Sequence, residues 1–427
     1  MKVDINTQNR LKTARIKMSK TCPRHKANKT WPMVRLGDVC EIIAGLSPEG
    51  SYYTDESCYT EFHQGSKSFG TRELQVSGVY TKKETKIAKP GSLLISVRAP
   101  VGDLNITTRR VCIGRGLAAL IPGDGLSRDF LWLFLTSATK AVNDAAGAGS
   151  CFSSLSRSQL SGLEIPLPPL SAQKEIVARL ERELAAVEKM KKGFEALAET
   201  AKAEFKAELK EVFEELKSGG AGIGTDWTNG THGTVETRRL GEIGRVVTGT
   251  TPSKGNKSYY GGEWPFYKPA DLNQGRNTIG SGDSLTDAGW QSARQLPANS
   301  VLVTCIGATL GKTGIIRREG SCNQQINAIV CDGKALPEYV YYSILSPQFQ
   351  NMLWQASNST TLPMVNKSTF EKFEIPFPAL AVQREVVARL DAAKARAEKL
   401  EAKAREGMAV CETMRKAILK EAFEGID

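Results

Sequence analysis

The run GATLGKTG, from Gly307 to Gly314, holds the residue types of a phosphate-binding loop: glycines whose backbone N–H groups can close on an anion, followed by Lys-Thr. Its spacing does not fit. The pattern needs four residues between the first glycine and Gly-Lys; three are present, and the position that would have to be glycine is Ile306. The related stretch from Ala99 to Gly102 has no Lys-Thr. The expectation is therefore a turn after a buried strand, with Lys312 exposed. Gly-Ala-Gly at 147 to 149 lacks the third glycine and the preceding strand of a dinucleotide fingerprint. There is no Asn/Asp-Pro-Pro-Tyr/Phe motif for amino methylation of a base, no nuclease carboxylate cluster, no nucleophile elbow and no helical histidine pair. Three histidines leave little for acid-base work, and nine cysteines scattered singly, without C-x-x-C, read as reduced thiols rather than a disulfide frame or zinc site. The chain is expected to be no catalyst by itself, to hold no metal and to bind no cofactor.

What remains is basic and amide side chains on turns, with a formal net charge of +11 pointing to an anionic partner. The first half offers Gln64, Lys67, Arg72, Arg98, Arg109, Arg110 and Arg115. The second offers Lys254, Lys257, Tyr259, Tyr260, Lys268, Arg276, Lys312, Arg317, Arg318, Gln324 and Gln325. Arginine and glutamine can make paired hydrogen bonds to guanine and adenine edges, while lysine mostly holds phosphate. Any one of these could be a solvated surface residue; their clustering in two equivalent regions gives the group weight. The candidate DNA contacts are Gln64, Lys67, Arg98, Arg109, Arg110, Lys254, Lys257, Tyr259, Lys268, Lys312, Arg317 and Gln324.

The elements that must position them are written twice. LEIPLPPLSAQKEIVARL (Leu163 to Leu180) returns as FEIPFPALAVQREVVARL (Phe373 to Leu390), with eleven of eighteen positions identical. The same offset carries Ala207, Leu209, Lys210, Glu211 and Phe213 onto Ala417, Leu419, Lys420, Glu421 and Phe423. Prolines 166, 168 and 169 hold the entry extended, so the helix must begin after them, with Ser171 as its N-cap; the second copy has Ala381 there. Apolar residues then step by threes and fours: Ile176, Leu180, Leu184, Val187 and on to Leu216, and Val382, Val386, Leu390 and on to Ile418. Each copy is one apolar stripe on a charged helix, which predicts two long helices burying their stripes against each other. From Ser171 to Phe213 such a helix would span about 65 Å.

The globular regions repeat as well. RLGDVCEIIAG (Arg35 to Gly45) returns as RLGEIGRVVTG (Arg239 to Gly249), and the LLISVRAPVGDL segment, with Leu93, Leu94, Ile95 and Val97 as a buried strand, has its counterpart in NSVLVTCIGATLGKTGII (Asn299 to Ile316). Phe130 to Val142 reads as a short helix on that sheet. The predicted class is α+β: two mixed α/β globules joined by two long antiparallel helices in a coiled coil, as a pseudo-twofold internal repeat. The divisions are a basic arm 1–30, globule 31–162, helical region 163–217, a glycine-rich linker 218–234, globule 235–372 and helical region 373–427. The arm has nine Lys/Arg against one acid, Asp4, and no apolar core of a secretory signal. It reads as a flexible or partly helical extension touching phosphate, or as a solvated tail; composition leaves a transit peptide open. No window is long and apolar enough to span a bilayer, so the expected setting is cytoplasmic, without a membrane.

The order globule, helix, globule, helix, the doubled EIPLPPLSAQKEIVARL/EIPFPALAVQREVVARL, the GTTPSKGNKSYYGGEWPFYK run (Gly249 to Lys268) and the LLISVRAPVGDL segment resemble the specificity subunit of type I restriction-modification systems. The resemblance covers nearly the whole chain from about residue 31, and the long basic arm is a departure from it. It implies that each globule is a target recognition domain reading half of a split, asymmetric double-stranded DNA site. It further implies that the helices set the gap and dock two methyltransferase subunits, which bind S-adenosylmethionine, and that restriction subunits with ATP and Mg join them. Gln173, Arg179, Gln383 and Arg389 become candidates for holding the recognition domains or the methyltransferase subunits, with helix capping and solvation as the plain alternative. Two other classes stay open on the residues alone: a stand-alone DNA-binding or architectural protein, and a protein scaffold whose basic surface has no role.

Overall fold

A computed structural model describes residues 31–138, 154–218, 235–331, 333–357 and 362–424. The basic arm 1–30, the linker from 219 onward and the glycines at 147–149 lie outside the described residues. The chain divides into two compact units: Met1–Lys192 with Met408–Asp427, and Gly193–Gly407.

In the first unit an antiparallel sheet in the order Cys40–Ala44, Leu117–Pro122, Leu93–Ser96, Leu104–Ile106 forms the middle layer. Its central strands are apolar at nearly every position rather than at alternate ones, because both faces are covered. Leu93, Ile95, Ala118 and Leu120 face a core that contains Phe130, Leu131 and Leu180. Leu94, Leu117 and Ala119 face a second core with Leu74, Val111 and Ile113. A five-stranded outer sheet, centred on Thr60–His63 and Val111–Ile113, closes that second core.

The second unit repeats the plan. Its middle sheet runs Gly244–Thr248, Ile326–Cys331, Val301–Thr304, Thr313–Ile315, and its outer sheet Asp283–Leu285, Tyr260–Tyr267, Ser321–Cys322. Val301, Val303 and Ile329 face one core, while Leu302, Ile326 and Ala328 face the other. The expected helix at Phe130 to Val142 is Arg128–Ser137, and the remainder of that range lies outside the described residues. Its counterpart is Pro337–Leu345.

Two long helices, Leu170–Lys217 and Leu380–Glu424, have 48 and 45 residues, about 72 and 68 Å at the usual rise. They pack together antiparallel. In the first unit Lys191 Nζ reaches Glu412 Oε1 at 2.8 Å, and Leu180 shares a core with Leu419 and Phe423. In the second, Arg389 bonds Glu208 (2.6 Å) and Glu215 (2.9 Å), while Phe194 lies against Gly407, where a Cβ would come within 2.4 Å of its ring. Both stripes also complete the globules. Phe423 meets Phe130 and Phe134 edge-on at 5.5 Å, and its duplicate Phe213 meets Tyr339 at 5.9 Å.

The helix start differs from the expectation. The Gln173 N–H donates to the Pro169 carbonyl and the Gln383 N–H to that of Ala379, each at 3.0 Å, so the helices open at Leu170 and Leu380; Ser171 is exposed inside the first turn. The polar work at the entry falls to a side chain one turn in. Gln173, fully buried, donates from Nε2 to the Pro168 (2.7 Å) and Gly125 (2.8 Å) carbonyls and accepts at Oε1 from the Ser127 N–H (2.7 Å). Gln383, also fully buried, donates to the Pro378 carbonyl and accepts from the Leu336 N–H, both at 2.9 Å. Ser127 and Leu336 are the residues before Arg128–Ser137 and Pro337–Leu345, so each glutamine pins a globule's helix to the start of a long one. Gln173→Ala would leave the buried Pro168 carbonyl unpaired, together with the partly buried Gly125 carbonyl and Ser127 N–H. We expect a loss of about 3 kcal/mol, at roughly 1–3 kcal/mol for a buried group left unpaired, read as a lower thermal midpoint. A midpoint equal to that of the parent would refute the fastening role.

Candidate functional site

Strand register shows which loops of the two units correspond. Phe62 pairs with Cys112 as Phe266 pairs with Ser321, and the Gly114 N–H donates to the His63 carbonyl (2.8 Å) as the Asn323 N–H donates to that of Tyr267 (3.1 Å). Gln64 therefore stands where Lys268 stands. By the same logic Gly45 and Gly249, whose N–H groups bond the Leu117 and Ile326 carbonyls, make Ser47 the counterpart of Thr251 and Arg115 the counterpart of Gln324. Both glycines are required: a Cβ on Gly45 would lie 2.1 Å from the Gly114 carbonyl oxygen, and one on Gly249 2.3 Å from that of Asn323.

At this edge a hydroxyl orients an amide in each unit. Ser47 Oγ donates to Gln64 Oε1 at 2.8 Å and accepts from the Arg115 N–H at 3.2 Å. Thr251 Oγ1 bonds Gln324 Oε1. The glutamines come from different loops, yet each has its oxygen anchored while its Nε2 has no partner among the described residues. Gln64, Lys67, Arg115 and Gln324 are exposed. In the first unit the edge opens into a cleft of about 840 Å³ lined by Ser47, Gln64, Lys67, Arg115 and the stacked pair Tyr53–Phe62, centroids 5.0 Å apart. In the second, the loop after Thr251 carries exposed Lys254 and Lys257 and half-buried Tyr259 around the short turn Lys257–Tyr259; the first unit has Gly50 and Tyr53 at the places of the two lysines.

The expected contacts thus fall into groups. Gln64 and Lys67 share one edge, and Lys254, Lys257, Tyr259, Lys268 and Gln324 the equivalent edge. Arg98 and Lys312 sit at matching hairpin turns after Leu93–Ser96 and Val301–Thr304; the Val97 N–H bonds the Gly116 carbonyl, and the Cys305 N–H that of Gln325. GATLGKTG is therefore a hairpin turn with a strand after it and no helix, as expected, but Lys312 is half-buried rather than exposed. The other arginines are engaged inside their units. Arg109 donates to Glu61 (2.6 and 2.9 Å) and to the Leu74 carbonyl (2.9 Å), Arg110 pairs with Glu84, and Arg317 with Glu338 at 2.8 Å. Lys268 is tied to Asp283 and so keeps only part of its charge for a ligand.

Of the four helix-region candidates, Gln173 and Gln383 are buried, Arg389 is committed to Glu208 and Glu215, and Arg179 is exposed. Arg389 and Arg179 are duplicates with different surroundings: by offset, the places of Glu208 and Glu215 are taken by Ile418 and Gly425. Residue typing missed Ser47 and Thr251. The doubled Gly-x-Ser/Thr-Pro at 45–48 and 249–252 was the available signal.

Behind Gln64, Glu61 accepts from Arg109, from the Ser77 N–H (2.7 Å) and stands 3.0 Å from His63 Nε2. Burial opposes its charge, but the Arg109 and Ser77 hydrogen bonds outweigh that and hold its carboxyl below the usual range. Burial likewise pushes His63 below its ordinary value, against the pull of Glu61. In the duplicate position Tyr267 is fully buried too, and burial pushes its hydroxyl up to about 12.

The family model described as "Type I restriction modification DNA specificity domain" matches residues 28–194 and 232–406, once per repeat. The type I restriction enzyme HindI specificity subunit of Haemophilus influenzae is 32% identical over 222 residues, 51% of this chain and 46% of that protein, so the chain spans about half the length of that relative. Two solved structures share the fold at 19% identity. One, from work on "complex assembly and conformational transition of the type I R-M system", is covered to 98% with 93% of this chain, TM-score 0.72. The other, the HsdS subunit from Thermoanaerobacter tengcongensis, is covered to 99% with 95% of this chain, TM-score 0.55.

The Glu61–His63 pair predicts an acid sensitivity. His63 stays neutral in the fold but protonates in the unfolded chain below about 6.5, and Glu61 stays charged below 4.5. Both contribute stability above those values and lose it as pH falls through the lowered folded ones. The thermal midpoint should fall between pH 7 and pH 5, and His63→Gln should flatten that slope; an unchanged slope would show that His63 does not couple to folding.

Proposed function

Because this chain belongs to the type I restriction modification DNA specificity domain family, we propose that it is a non-catalytic specificity subunit reading an asymmetric, two-part site on double-stranded DNA, one half with each unit. One observation carries this: the same framework edge is built twice and furnished differently, Ser47, Gln64 and Arg115 in one unit, Thr251, Lys268 and Gln324 in the other. A glutamine whose oxygen is already fixed loses little rotamer freedom on meeting a base edge, and adenine, with its N6 donor and N7 acceptor, is the base it suits. Lys67, Arg98, Lys254 and Lys257 hold phosphate beside it. The paired helices act as the spacer between half-sites and as the platform for two methyltransferase subunits, with exposed Arg179 available to such a partner. S-adenosylmethionine belongs to those subunits, and ATP with Mg to restriction subunits that join later. No described helix is long and apolar enough to cross a membrane, and the setting is cytoplasmic, alongside DNA.

The test is coexpression with the methyltransferase subunit of the native host, followed by mapping of modified adenines. Exchanging residues 235 to 366 for those of a related chain should change one half-site only, and a change in both would contradict the two-reader reading. A chain that adds no methylation beside any partner would instead be a stand-alone DNA-binding protein. Gln324→Ala should lower discrimination at one position of one half-site about tenfold to a hundredfold, in keeping with roughly 1–3 kcal/mol for a good base contact. Lys254→Gln with Lys257→Gln should weaken binding to all sequences and reduce the salt slope by about one for each phosphate that is no longer neutralised. A flat salt dependence of the parent protein would favour a scaffold with an idle basic surface.

A further inference from the structure

The middle sheet of each unit packs on the long helices through one core, while the outer sheet, which carries the edge residues, packs on the other face of the middle sheet through a second core without long-helix residues. Outer and helical layers are nevertheless joined by an ion pair in each unit, and the two pairs are duplicates. In the first unit Arg72, two residues from the outer-core Leu74, donates to Glu181 of the long helix (3.3 Å) and to Asp129 of Arg128–Ser137 (2.8 Å), with its guanidinium 5.9 Å over Trp132. In the second, Arg276, in the short helical turn that holds the outer-core Leu272, pairs with Asp391 of the long helix, and Tyr342 Oη donates to the same carboxylate oxygen at 2.6 Å. Arg276 follows Arg72 by 204 residues, the offset that relates Gly45 to Gly249 and Gln64 to Lys268, and Asp391 follows Glu181 by 210, the offset of the helices. Asp129 also has its counterpart, Glu338, served here by a second arginine, Arg317, which donates from Nε to the Arg276 carbonyl at 2.9 Å. In the first unit Arg72 bridges both carboxylates, with Arg128 also 3.6 Å from Asp129; in the second, Arg276 and Arg317 take one carboxylate each.

We infer that Arg72 and Arg276 are positioning residues for DNA recognition: by tying each outer layer to a long helix they set the angle at which its edge meets the duplex, and so restrict the number of base pairs accepted between the half-sites. This rests on the DNA-reading function proposed above. An outer layer joined to the long helix only through the middle sheet can tilt, and a tilt moves the edge along the groove without changing which side chains it presents. The two clamps differ in strength. The side chains of Arg72 and Glu181 are 47% and 48% exposed, against 26% and 34% for Arg276 and Asp391, so water screens the first pair more and the second holds its unit more firmly.

The experiment uses the full chain coexpressed with its methyltransferase subunit in a host free of other adenine methylation, with methylated sites sorted by spacer length. Arg276→Ala is expected to raise methylation at sites one base pair longer or shorter at least tenfold over the parent, with half-site bases unchanged. Arg72→Ala should do the same more weakly. Arg276→Asp combined with Asp391→Arg, which reverses the pair, should restore the single spacer. A parental spacer distribution in both alanine variants, or altered half-site bases, would overturn the inference. If Arg276→Ala is insoluble, Asp391→Asn, which keeps the side chain's size and its contact with Tyr342, takes its place, and an unchanged spacer there overturns the inference equally. Absence of methylation with the parent chain would instead sink the DNA-reading function, and this inference with it.

Discussion

The structure depends on a core that no single stretch of chain can close. The apolar stripe of each long helix is needed twice, once against the other helix and once inside a globule, and in the first unit the ring that completes the globule comes from the far end of the chain. Phe423 lies between Phe130 and Phe134, with Leu419 and Ala422 beside it. A chain that begins this unit must return to finish it, so the helices run antiparallel by necessity rather than by preference. Burying a phenylalanine side chain is worth about 1.5–3 kcal/mol, and Phe213 repeats the arrangement against Tyr339 in the other unit. The hydrophobic effect has no direction; the directed part comes from buried Gln173 and Gln383, whose amides accept only the backbone arrangement that places a globule's short helix at the start of a long one.

A duplicated frame of this kind is a way to vary chemistry without rebuilding the fold. The middle sheets are covered on both faces and mostly apolar in their central strands, so divergence collects at the outer edge, where loops are free to differ. There the two units keep a hydroxyl at one position and change what it holds. Ser47 anchors a glutamine carried after Thr60–His63, and Thr251 anchors one carried after Ser321–Cys322. Lysines at 254 and 257 stand where the first unit has Gly50 and Tyr53. Two units with a common frame and unlike faces suit the asymmetric site proposed for them.

The amino-acid sequence by itself determined the repeat, the class, the two long helices and the family resemblance. Identity at a constant offset, and an apolar stripe on a charged helix, are local properties that need no neighbour to be read. Membership of the specificity family and the fold of mixed α/β units with packed helices agree with that reading. The cap at Ser171 was misplaced because a helix's first turn is settled by whichever group satisfies its polar atoms. Here the helix opens one residue before Ser171, and the buried glutamine two residues beyond it ties the entry at Pro168 to Ser127 and Gly125, 46 and 48 positions away.

Tertiary structure alone decided which basic side chains remain available at the candidate edge. Residue type marks Arg109, Arg317 and Arg389 as candidates as readily as Lys67 or Arg115, but a charge is spent or free according to what folds against it. Arg109 meets Glu61 across 48 residues and Arg389 meets Glu215 across 174, separations that no local pattern encodes. The same holds for the small hydroxyls at 47 and 251. They have no charge or rarity to draw attention, and their part in orienting an amide exists only once the strands are in register.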